Sequence, residues 1–347
     1  MKIDLGMIGS SAAVCGPIAT RAERVGFDGL WASESVTDAF LQSQAALTAT
    51  TTTTVGTAIA VAFARNPMST AYLGWDLAAL SGGRFVMGLG TQIQAHIERR
   101  FSMPWSSPVA RMRDFLTAMN AIWTAWRTGS KLNYEGTHYR HTLMSPVFTP
   151  PHHDLAIPVM IAAVGDRMTE LGGELCDGLI LHGMTTTAYL DEVTLPALRR
   201  GMETASRDRS EVSLYCPIFM VMGDTEEQFE EMKRKTQEQI AFYASTPAYR
   251  GVLASVGYEE LQPELQALSR AGEWARMGDL IDDTLLGHIA VLGRPEEMPK
   301  LCKERFSGRL DRISSYHPWP VDDDDRLAEI LRGFADGAEN RVEEVAR

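Results

Sequence analysis

Five polar side chains that could take part in acid–base or cofactor chemistry each follow a short apolar segment of the chain. They are Glu34, Gln92, His96, His182 and His317. A carboxyl group buried beside a ring has a raised pKa, and histidine titrates near neutrality, so both suit general acid–base catalysis. A glutamine amide donates and accepts hydrogen bonds together, as recognition of a heterocycle edge requires. These residues are the first candidates for a functional site.

Other polar clusters are expected to be structural. His152, His153 and Asp154 lie between proline-rich turns and lack the i, i+4 spacing of helical metal ligands. The acidic run 322–325 precedes a helix, where carboxylates suit the positive end of the helix dipole. The four cysteines form no C-x-x-C pair, which favours free thiols in a reducing cytoplasm. We therefore predict no metal site.

The apolar segments alternate with amphipathic stretches, and this alternation predicts βα units in a parallel sheet. Because catalytic groups in a (β/α)₈ barrel lie at the C-terminal ends of strands, the candidates above suit that fold. We predict an α/β fold, one (β/α)₈ TIM-barrel domain spanning residues 1–347. Its candidate strands are Ile3–Ile8, Asp28–Ala32, Val55–Ala62, Phe85–Leu89, Val159–Ala163, Gly178–Leu181, Val212–Val221 and Arg312–Tyr316.

Two long insertions into the barrel are predicted, at about residues 91–158 and 224–286. The second is helical and has no strand-like run, so we expect it to form a cap. The apolar run His288–Leu292 has no assigned role. The first insertion is expected to hold a helix and a hairpin or turn, and another helix closes the chain; their bounds are Val109–Arg127, Asn133–Arg140 and Leu327–Val345.

A doubly wound sheet is the alternative fold, and it predicts a phosphate-binding glycine motif after the first strand. The first strand here leads into Gly9-Ser10-Ser11, which lacks that spacing. Gly88-Leu89-Gly90 belongs to the fourth strand, and Ile93 stands where a third glycine would be. We therefore favour the barrel.

Composition limits the classes of function. The 347 residues are 45% hydrophobic and 22% charged, as in globular enzymes. No window reaches the roughly 18 consecutive apolar residues of a membrane helix, and the start lacks the blocks of a secretory signal. A net charge of −12 disfavours non-specific binding of nucleic acid. We expect a cytoplasmic protein that acts on a small molecule, without nucleic-acid or membrane partners.

Several short motifs occur in an order that resembles the bacterial luciferase-like monooxygenase superfamily, and within it the branch that uses coenzyme F420. They cover most of the chain and include the second-strand signature and a late motif. The motifs are Ala22-Glu23-x-x-Gly26-Phe27-Asp28-Gly29-Leu30-Trp31, Arg65-Asn66-Pro67, Leu77-x-x-Leu80-Ser81-Gly82-Gly83-Arg84-Phe85-x-x-Gly88-Leu89-Gly90, Tyr134-Glu135-Gly136-x-His138-Tyr139, Ile157-Pro158-Val159, Cys176-Asp177-Gly178 and Val291-Leu292-Gly293-x-Pro295-Glu296-Glu297.

The resemblance implies a TIM barrel that binds F420, a deazaflavin, or alternatively FMN. It implies a bulge at the end of strand three with a non-proline cis peptide bond at Ala58–Ile59, which supports one face of the ring. It places the pyrimidine edge of the ring near Thr91 and Gln92. Gly165, Asp166 and Arg167 open a helix whose free N–H groups suit the cofactor phosphodiester.

Two positions depart from the pattern of the resembled family. Many relatives carry an acidic residue followed by histidine after strand two, but this chain has Glu34-Ser35. Acid–base catalysis would then fall to Glu34, His96, His182 or His317, although Glu34 could instead accept hydrogen bonds from loop amides. Ile93 replaces a glutamate found in deazaflavin sugar dehydrogenases, which disfavours that reaction. The substrate pocket is expected to be partly apolar, with contributions from Trp31, Phe63, Met184, Trp319, His182 and His317.

The function implied is oxidation or reduction by hydride transfer between F420 and a small organic substrate, an alcohol, a carbonyl compound or an activated alkene. A monooxygenase that uses reduced FMN is the first alternative, because the same fold hosts both activities. A flavin-binding protein without turnover is the second, since the usual histidine is missing. The resemblance also implies a homodimer.

Overall fold

The computed structural model describes residues 1–335. The predicted closing helix Leu327–Val345 begins earlier, and its described part is Asp324–Ala335; the remainder lies outside the described residues. Within residues 1–335, every helix is too short or too polar to cross a membrane.

Eight parallel strands form a closed barrel, which confirms the predicted fold. Each strand pairs with the next along the chain, and the first pairs with the last through Lys2 and Arg312. The strands are β1 (Lys2–Gly6), β2 (Gly29–Ala32), β3 (Thr54–Thr57), β4 (Phe85–Gly90), β5 (Val159–Ala162), β6 (Gly178–Ile180), β7 (Ser213–Ile218) and β8 (Arg312–Ser315).

Helices surround the barrel and cover one side of its mouth. The first ends at Gly26, as predicted, because this residue adopts a left-handed φ of 102° that suits glycine. The helices are α1 (Ala12–Val25), α2 (Ala39–Ala49), α3 (Pro67–Ser81), α4 (Gln94–Arg99), α5 (Pro108–Thr128), α6 (Asp166–Leu175), α7 (Thr187–Tyr189), α8 (Leu195–Thr204), α9 (Glu226–Ala244), α10 (Arg250–Ala254), α11 (Leu261–Ala271), α12 (Trp274–Asp279), α13 (Asp283–Ile289), α14 (Met298–Phe306) and α15 (Asp324–Ala335).

The first predicted insertion contains one of the helices of the barrel itself. Helix α5 packs against α3 and α6, so it is the ring helix between β4 and β5. The predicted hairpin is present as a short antiparallel pair, Tyr134–Glu135 with Arg140–His141. Asp114 on α5 holds this hairpin, because its carboxylate accepts hydrogen bonds from the Tyr134 hydroxyl and from the main-chain N–H of His138.

The second predicted insertion, residues 224–286, is helical as expected. The predicted strand Val212–Val221 is divided at Phe219: β7 ends at Ile218, and Met220–Met222 pairs with Val291–Gly293 in a small parallel sheet outside the barrel. This pairing gives the unassigned run His288–Leu292 its role. The cap, which we define as α9 to α13, packs on this sheet through its own hydrophobic core.

The barrel interior contains a buried ion pair. Asp4 accepts hydrogen bonds from Nε and Nη2 of Arg312 at 2.8 and 2.7 Å and from Nε1 of Trp31 at 2.8 Å. The Trp31 ring stacks on Tyr215, with centroids 4.4 Å apart, and the Tyr215 hydroxyl lies 2.8 Å from that of Ser314. Burial raises the pKa of Asp4, and Arg312 opposes this effect. The buried Asp4 carboxylate therefore needs the Arg312 guanidinium to remain charged in the barrel interior.

We expect Arg312→Ala to lower the free energy of unfolding by about 3–5 kcal/mol, because it leaves the Asp4 carboxyl buried without a cation. Urea denaturation followed by circular dichroism measures this change. Arg24→Ala is the matched control: Arg24 forms an exposed pair with Asp324, so its loss should leave the midpoint nearly unchanged. Equal shifts for both variants would contradict the importance of the buried pair.

Candidate active site

The candidate active site is the layer of side chains at the C-terminal mouth of the barrel. Successive strand residues point to opposite faces, so the residue two positions after an interior residue also faces inward. Asp4, Val86, Met160, Ile180, Tyr215, Trp31 and Ser314 are interior residues. The next inward positions are therefore Gly6, Ser33, Gly88, Ala162, His182, Pro217 and Tyr316, and Gly90 is the inward position after Gly88 on β4.

One half of the mouth has very small side chains. Gly6, Gly90 and Ala162 end β1, β4 and β5. A Cβ atom added at Gly90 would lie 2.8 Å from Cγ1 of Ile59 and 3.4 Å from Cβ of Ala162. The main chain at Gly90 is therefore closely packed against Ile59 and Ala162. We call Gly6, Gly90, Ala162 and the adjoining Ala58–Ile59 the floor.

The strand beside the floor has a bulge and a cis peptide bond at Ala58–Ile59, as the resemblance implied. Gly56 pairs with Val86, whereas Ala60 pairs with Leu89, so one extra residue is present on the β3 side. Hydrogen bonds hold the bulge: the Ala58 N–H donates to the carbonyl of Ala32 at 2.6 Å, and the Glu34 N–H donates to the carbonyl of Ile59 at 3.2 Å.

Glu34 serves as a hydrogen-bond acceptor in this loop. Its Oε2 accepts from the Val61 N–H at 2.8 Å and from Nη1 of Arg65 at 2.7 Å, and both side chains are largely buried. Arg65 also pairs with Asp38, the N-cap residue of α2. Burial lowers the pKa of Arg65, but Glu34 and Asp38 outweigh it and raise the pKa. The geometry favours the structural alternative for Glu34.

The loop after β4 brings Thr91 and Gln92 to the edge of the floor. Gln92 has a positive φ of 61°, and its Oε1 accepts the Ile93 N–H at 2.9 Å. Its Nε2 is on the other side of the amide group and makes no hydrogen bond within residues 1–335. The Thr91 hydroxyl donates to the Gln92 carbonyl at 3.0 Å. His96 lies in α4 with an exposed side chain. Gln92 therefore lies in the loop next to the floor, whereas His96 lies on the helix that follows this loop.

The turn after β5 opens helix α6. Gly165 is the N-cap, and the first helical hydrogen bond runs from the Thr169 N–H to the Gly165 carbonyl. The three N–H groups before Thr169 therefore lack helical partners. The Asp166 carboxylate accepts one of them, from Arg167, at 2.8 Å. The Arg167 side chain is exposed beside this turn.

The other half of the mouth is a wall of aromatic rings. His182 packs against Tyr243, Tyr249 and Tyr316, with ring centroids 4.4, 5.1 and 6.3 Å away. Tyr243 comes from α9 of the cap, and its hydroxyl is hydrogen-bonded to that of Tyr316. Burial lowers the pKa of His182 to about 4, so its ring is neutral near pH 7. We call these four residues the wall.

Three residues predicted to contact substrate lie elsewhere or are differently engaged. Trp31 is in the barrel interior below the mouth, because its N–H is held by Asp4. Phe63 is fully buried, and the guanidinium of Arg111 lies 4.3 Å from its centroid. His317 borders the wall, with its ring centroid 5.9 Å from that of Tyr316. Burial lowers the pKa of His317, and the positive charge of Lys235 lowers it further.

Within residues 1–335, no group of three histidine, cysteine, aspartate or glutamate side chains is placed so that it could hold a metal ion. His153 instead stacks on Trp75 with centroids 3.9 Å apart. The cysteines are buried free thiols. Two surface clefts of about 570 and 680 Å³ lie along α5, outside the barrel, so they are distinct from the mouth.

Comparison with known proteins decides the family. Residues 11–311 match the model of luciferase-like monooxygenases. The chain belongs to this family.

An uncharacterized protein of Mycobacterium tuberculosis is 47% identical over 314 residues, which cover 90% of this chain and 92% of that protein. The 5,10-methylenetetrahydromethanopterin reductase of Methanolobus tindarius is 25% identical, with 84% of each chain covered. A putative coenzyme F420-dependent oxidoreductase of M. tuberculosis is 26% identical over 80% of this chain and 83% of that one.

Several solved structures share the fold of this chain. The F420-dependent tetrahydromethanopterin reductase of Methanopyrus kandleri has a TM-score of 0.75 at 16% identity, covering 95% of this chain and 96% of that chain. An F420-dependent secondary alcohol dehydrogenase has a TM-score of 0.73 at 18% identity, covering 96% and 99%. The EDTA monooxygenase of Chelativorans sp. has a TM-score of 0.72 at 13% identity, covering 96% and 94%. Both kinds of oxidoreductase therefore have this architecture.

The motifs of the luciferase-like family did not reveal Tyr243, Tyr249, Tyr316 or Ser33. Tyr316 and Ser33 could have been found from the two-residue periodicity of β8 and β2, since both continue the inward face. Tyr243 and Tyr249 come from the cap, where helical patterning gives no sign of contact with the mouth. The hydroxyl of Ser33 is buried without a hydrogen-bond partner in the described part of the chain.

We expect Glu34→Ala to lower the free energy of unfolding by about 2–3 kcal/mol, because it leaves the buried Arg65 with only Asp38 and orphans the Val61 N–H. Thermal or urea unfolding measures the loss. Glu34→Gln keeps an acceptor oxygen and should lose less. Glu98→Ala, on the exposed face of α4, is the control. If Glu34→Ala were as stable as the control, the anchoring role of Glu34 would be wrong.

Stability should also decline below pH 6.5. A histidine whose pKa is about 4 when folded and about 6.5 when unfolded stabilises the fold fully above pH 6.5, and this contribution is lost as the pH falls towards 4. The slope is up to about 1.4 kcal/mol per pH unit. The groups facing His182 are the tyrosines of the wall and Cys216, which carry no charge at acid pH.

His182→Phe should flatten this part of the profile, measured as urea midpoints between pH 4.5 and pH 7. His317→Phe should flatten it less, because His317 is less deeply buried than His182. An unchanged slope in His182→Phe would show that the acid sensitivity arises elsewhere.

Proposed function

We propose that the chain transfers a hydride between coenzyme F420 and a small uncharged organic substrate, such as an alcohol, a carbonyl compound or an activated alkene. The observation that carries this proposal is the division of the mouth into a floor without aromatic or charged side chains and an aromatic wall. A planar ring fits on the floor, and a substrate fits between the ring and the wall. The homodimer implied by the resemblance is part of the same proposal.

The residues of the floor suit the ring of a deazaflavin. The cis peptide bond Ala58–Ile59 would support one face of the ring, and the neighbouring strand ends carry only the small residues Gly90 and Ala162. The free Nε2 of Gln92 and the main chain at Thr91 would bind the polar edge. When bound, the deazaflavin supplies or accepts a hydride as a two-electron carrier. The chain orients the ring and excludes water from it.

The turn at Gly165 suits the phosphodiester of the cofactor. Main-chain N–H groups at a helix N-terminus attract anions, and the N–H groups of Asp166 and Met168 precede the first helical hydrogen bond. Arg167 also lines the cleft of about 680 Å³ along α5, so main-chain groups would hold the anion at this turn. The Asp166 carboxylate opposes an anion here, so we assign that residue a main-chain role only.

F420 is favoured over FMN by the sequence relatives, two of which are a putative F420-dependent oxidoreductase and a methylenetetrahydromethanopterin reductase. A monooxygenase that uses reduced FMN is the second candidate, because the EDTA monooxygenase shares the fold to nearly the same degree. A phosphorylated sugar is a poor substrate candidate. The wall has no cationic side chain, and Ile93 is apolar.

Fluorescence titration of the purified protein with F420 and with FMN tests the cofactor. We expect F420 to bind at micromolar concentration and FMN to bind at least tenfold more weakly, a difference of about 1.4 kcal/mol. Micromolar binding of FMN without any response to F420 would favour the monooxygenase. Binding of neither would contradict the assignment of the mouth as a cofactor site.

The same titration tests the floor. Ala162→Phe places a ring where the cofactor ring would lie, so it should weaken F420 binding at least tenfold while circular dichroism remains unchanged. Ala205→Phe, at the exposed C-terminal end of α8, adds the same side chain away from the mouth and is the control. Equal F420 affinity in both variants would place the cofactor elsewhere.

A further inference from the structure

The tautomer of His182 is fixed by its own loop. The main-chain N–H of Met184 donates a hydrogen bond to Nδ1 of His182 at 3.0 Å. A ring nitrogen that accepts a hydrogen bond carries no proton, so the neutral ring has its proton on Nε2. The short loop that follows β6 therefore makes Nε2 the hydrogen-bond donor of His182.

The donor at Nε2 of His182 has no acceptor among residues 1–335. Its neighbours are the tyrosines of the wall, and Cys216 contacts the main-chain carbonyl of His182 rather than its ring. No carboxylate contacts the ring, so nothing there stabilises an imidazolium. His182 is only partly buried, and its Nε2 atom is not one of the fully buried atoms without a partner, so it can be reached from the mouth. An oxygen atom of a ligand could therefore accept the hydrogen bond from Nε2.

We propose that His182 donates the hydrogen bond from Nε2 to the oxygen of an uncharged substrate and so orients a ketone or a secondary alcohol against the wall. This inference rests on the proposed function and adds the contact that orients the substrate. The contact would come from the loop after β6, whereas the loop after β2 carries Glu34-Ser35 and no histidine.

The chemistry of the wall restricts the class of substrate. A neutral donor surrounded by tyrosine rings suits a carbonyl or hydroxyl oxygen, whose transfer from water is far less unfavourable than that of a carboxylate or a phosphate. No cation in the wall would compensate a charged substrate. The apolar part of the substrate would pack on Tyr243, Tyr249 and Tyr316, as apolar ligand sites commonly use aromatic side chains.

The hydrogen bond would strengthen during the reaction. Transfer of a hydride from reduced F420 would break a C–H bond of the cofactor and form a C–H bond at the carbonyl carbon, and the π electron pair would move to the oxygen. The Nε2–H group of His182 would stabilise the negative charge that develops there. A neutral imidazole is a very weak acid, so His182 keeps its proton, and water supplies the proton that completes the alcohol. Oxidation of an alcohol follows the same path in reverse.

Long-range ¹H–¹⁵N spectra of the whole protein labelled with ¹⁵N-histidine test the inference without turnover. His182→Phe identifies the His182 signals, and His152→Gln, at an exposed histidine, is the control. Acetone, cyclohexanone and acetophenone are the probes, and methylenecyclohexane replaces the oxygen of cyclohexanone by a CH₂ group. We expect the free protein to show the Nε2–H tautomer, and we expect at least one ketone, but not the hydrocarbon, to shift the Nε2 signal.

His182→Gln keeps an N–H donor and should bind the ketone within about threefold of the parent protein, whereas His182→Phe should bind it about tenfold more weakly. The inference is overturned if the neutral ring carries its proton on Nδ1, or if no ketone shifts the Nε2 signal. It is also overturned if His182→Phe binds the ketone as well as the parent. F420 binding by fluorescence, measured on the same variants, separates this result from the proposed function, because a loss there concerns the cofactor alone.

Discussion

The site depends on the close contact between β3 and β4. The Thr57 hydroxyl donates to the Gly88 carbonyl at 2.6 Å and accepts the Gly88 N–H at 2.9 Å. A Cβ atom at residue 88 would lie 1.8 Å from the Thr57 carbonyl oxygen, so only glycine permits this approach. The bulge and the cis peptide bond directly follow Thr57. The contact therefore fixes the position of Ala58 and Ile59, which are part of the floor.

Below the mouth, the barrel interior is already full. The Asp4–Arg312 pair and the stacked rings of Trp31 and Tyr215 occupy it, and Gly29 has no room for a Cβ atom because Nη2 of Arg312 would lie 2.4 Å away. Any ligand must therefore bind above this layer, among the inward residues at the strand ends. This filling explains why Trp31 belongs to the scaffold, although it precedes the candidate loop by only two residues.

Much of the fold could be predicted from the sequence, because most of the eight strands lie in short apolar runs and Gly26 ends α1 in a left-handed conformation. The end of β7 was missed, since Met220–Met222 continues the apolar run and its partner, Val291–Gly293, lies about 70 residues later. The rule that catalytic residues of a barrel lie at the C-terminal ends of strands made Glu34 and His182 candidates. It could not tell that Glu34 is bound by Arg65, because such partners depend on tertiary contacts.

The floor and the wall come from different parts of the chain, so in the proposed function cofactor binding and substrate choice would depend on different segments. The floor is built from barrel strands and their bulge, where backbone contacts leave little freedom to change. The wall takes Tyr243 and Tyr249 from the cap, whose core is separate from the barrel core and is joined to it through Phe219 and Met184. Replacing residues of α9 can therefore reshape the substrate side without disturbing Gly90 or the cis peptide bond. In this architecture, loops and caps carry new specificity while the barrel stays constant.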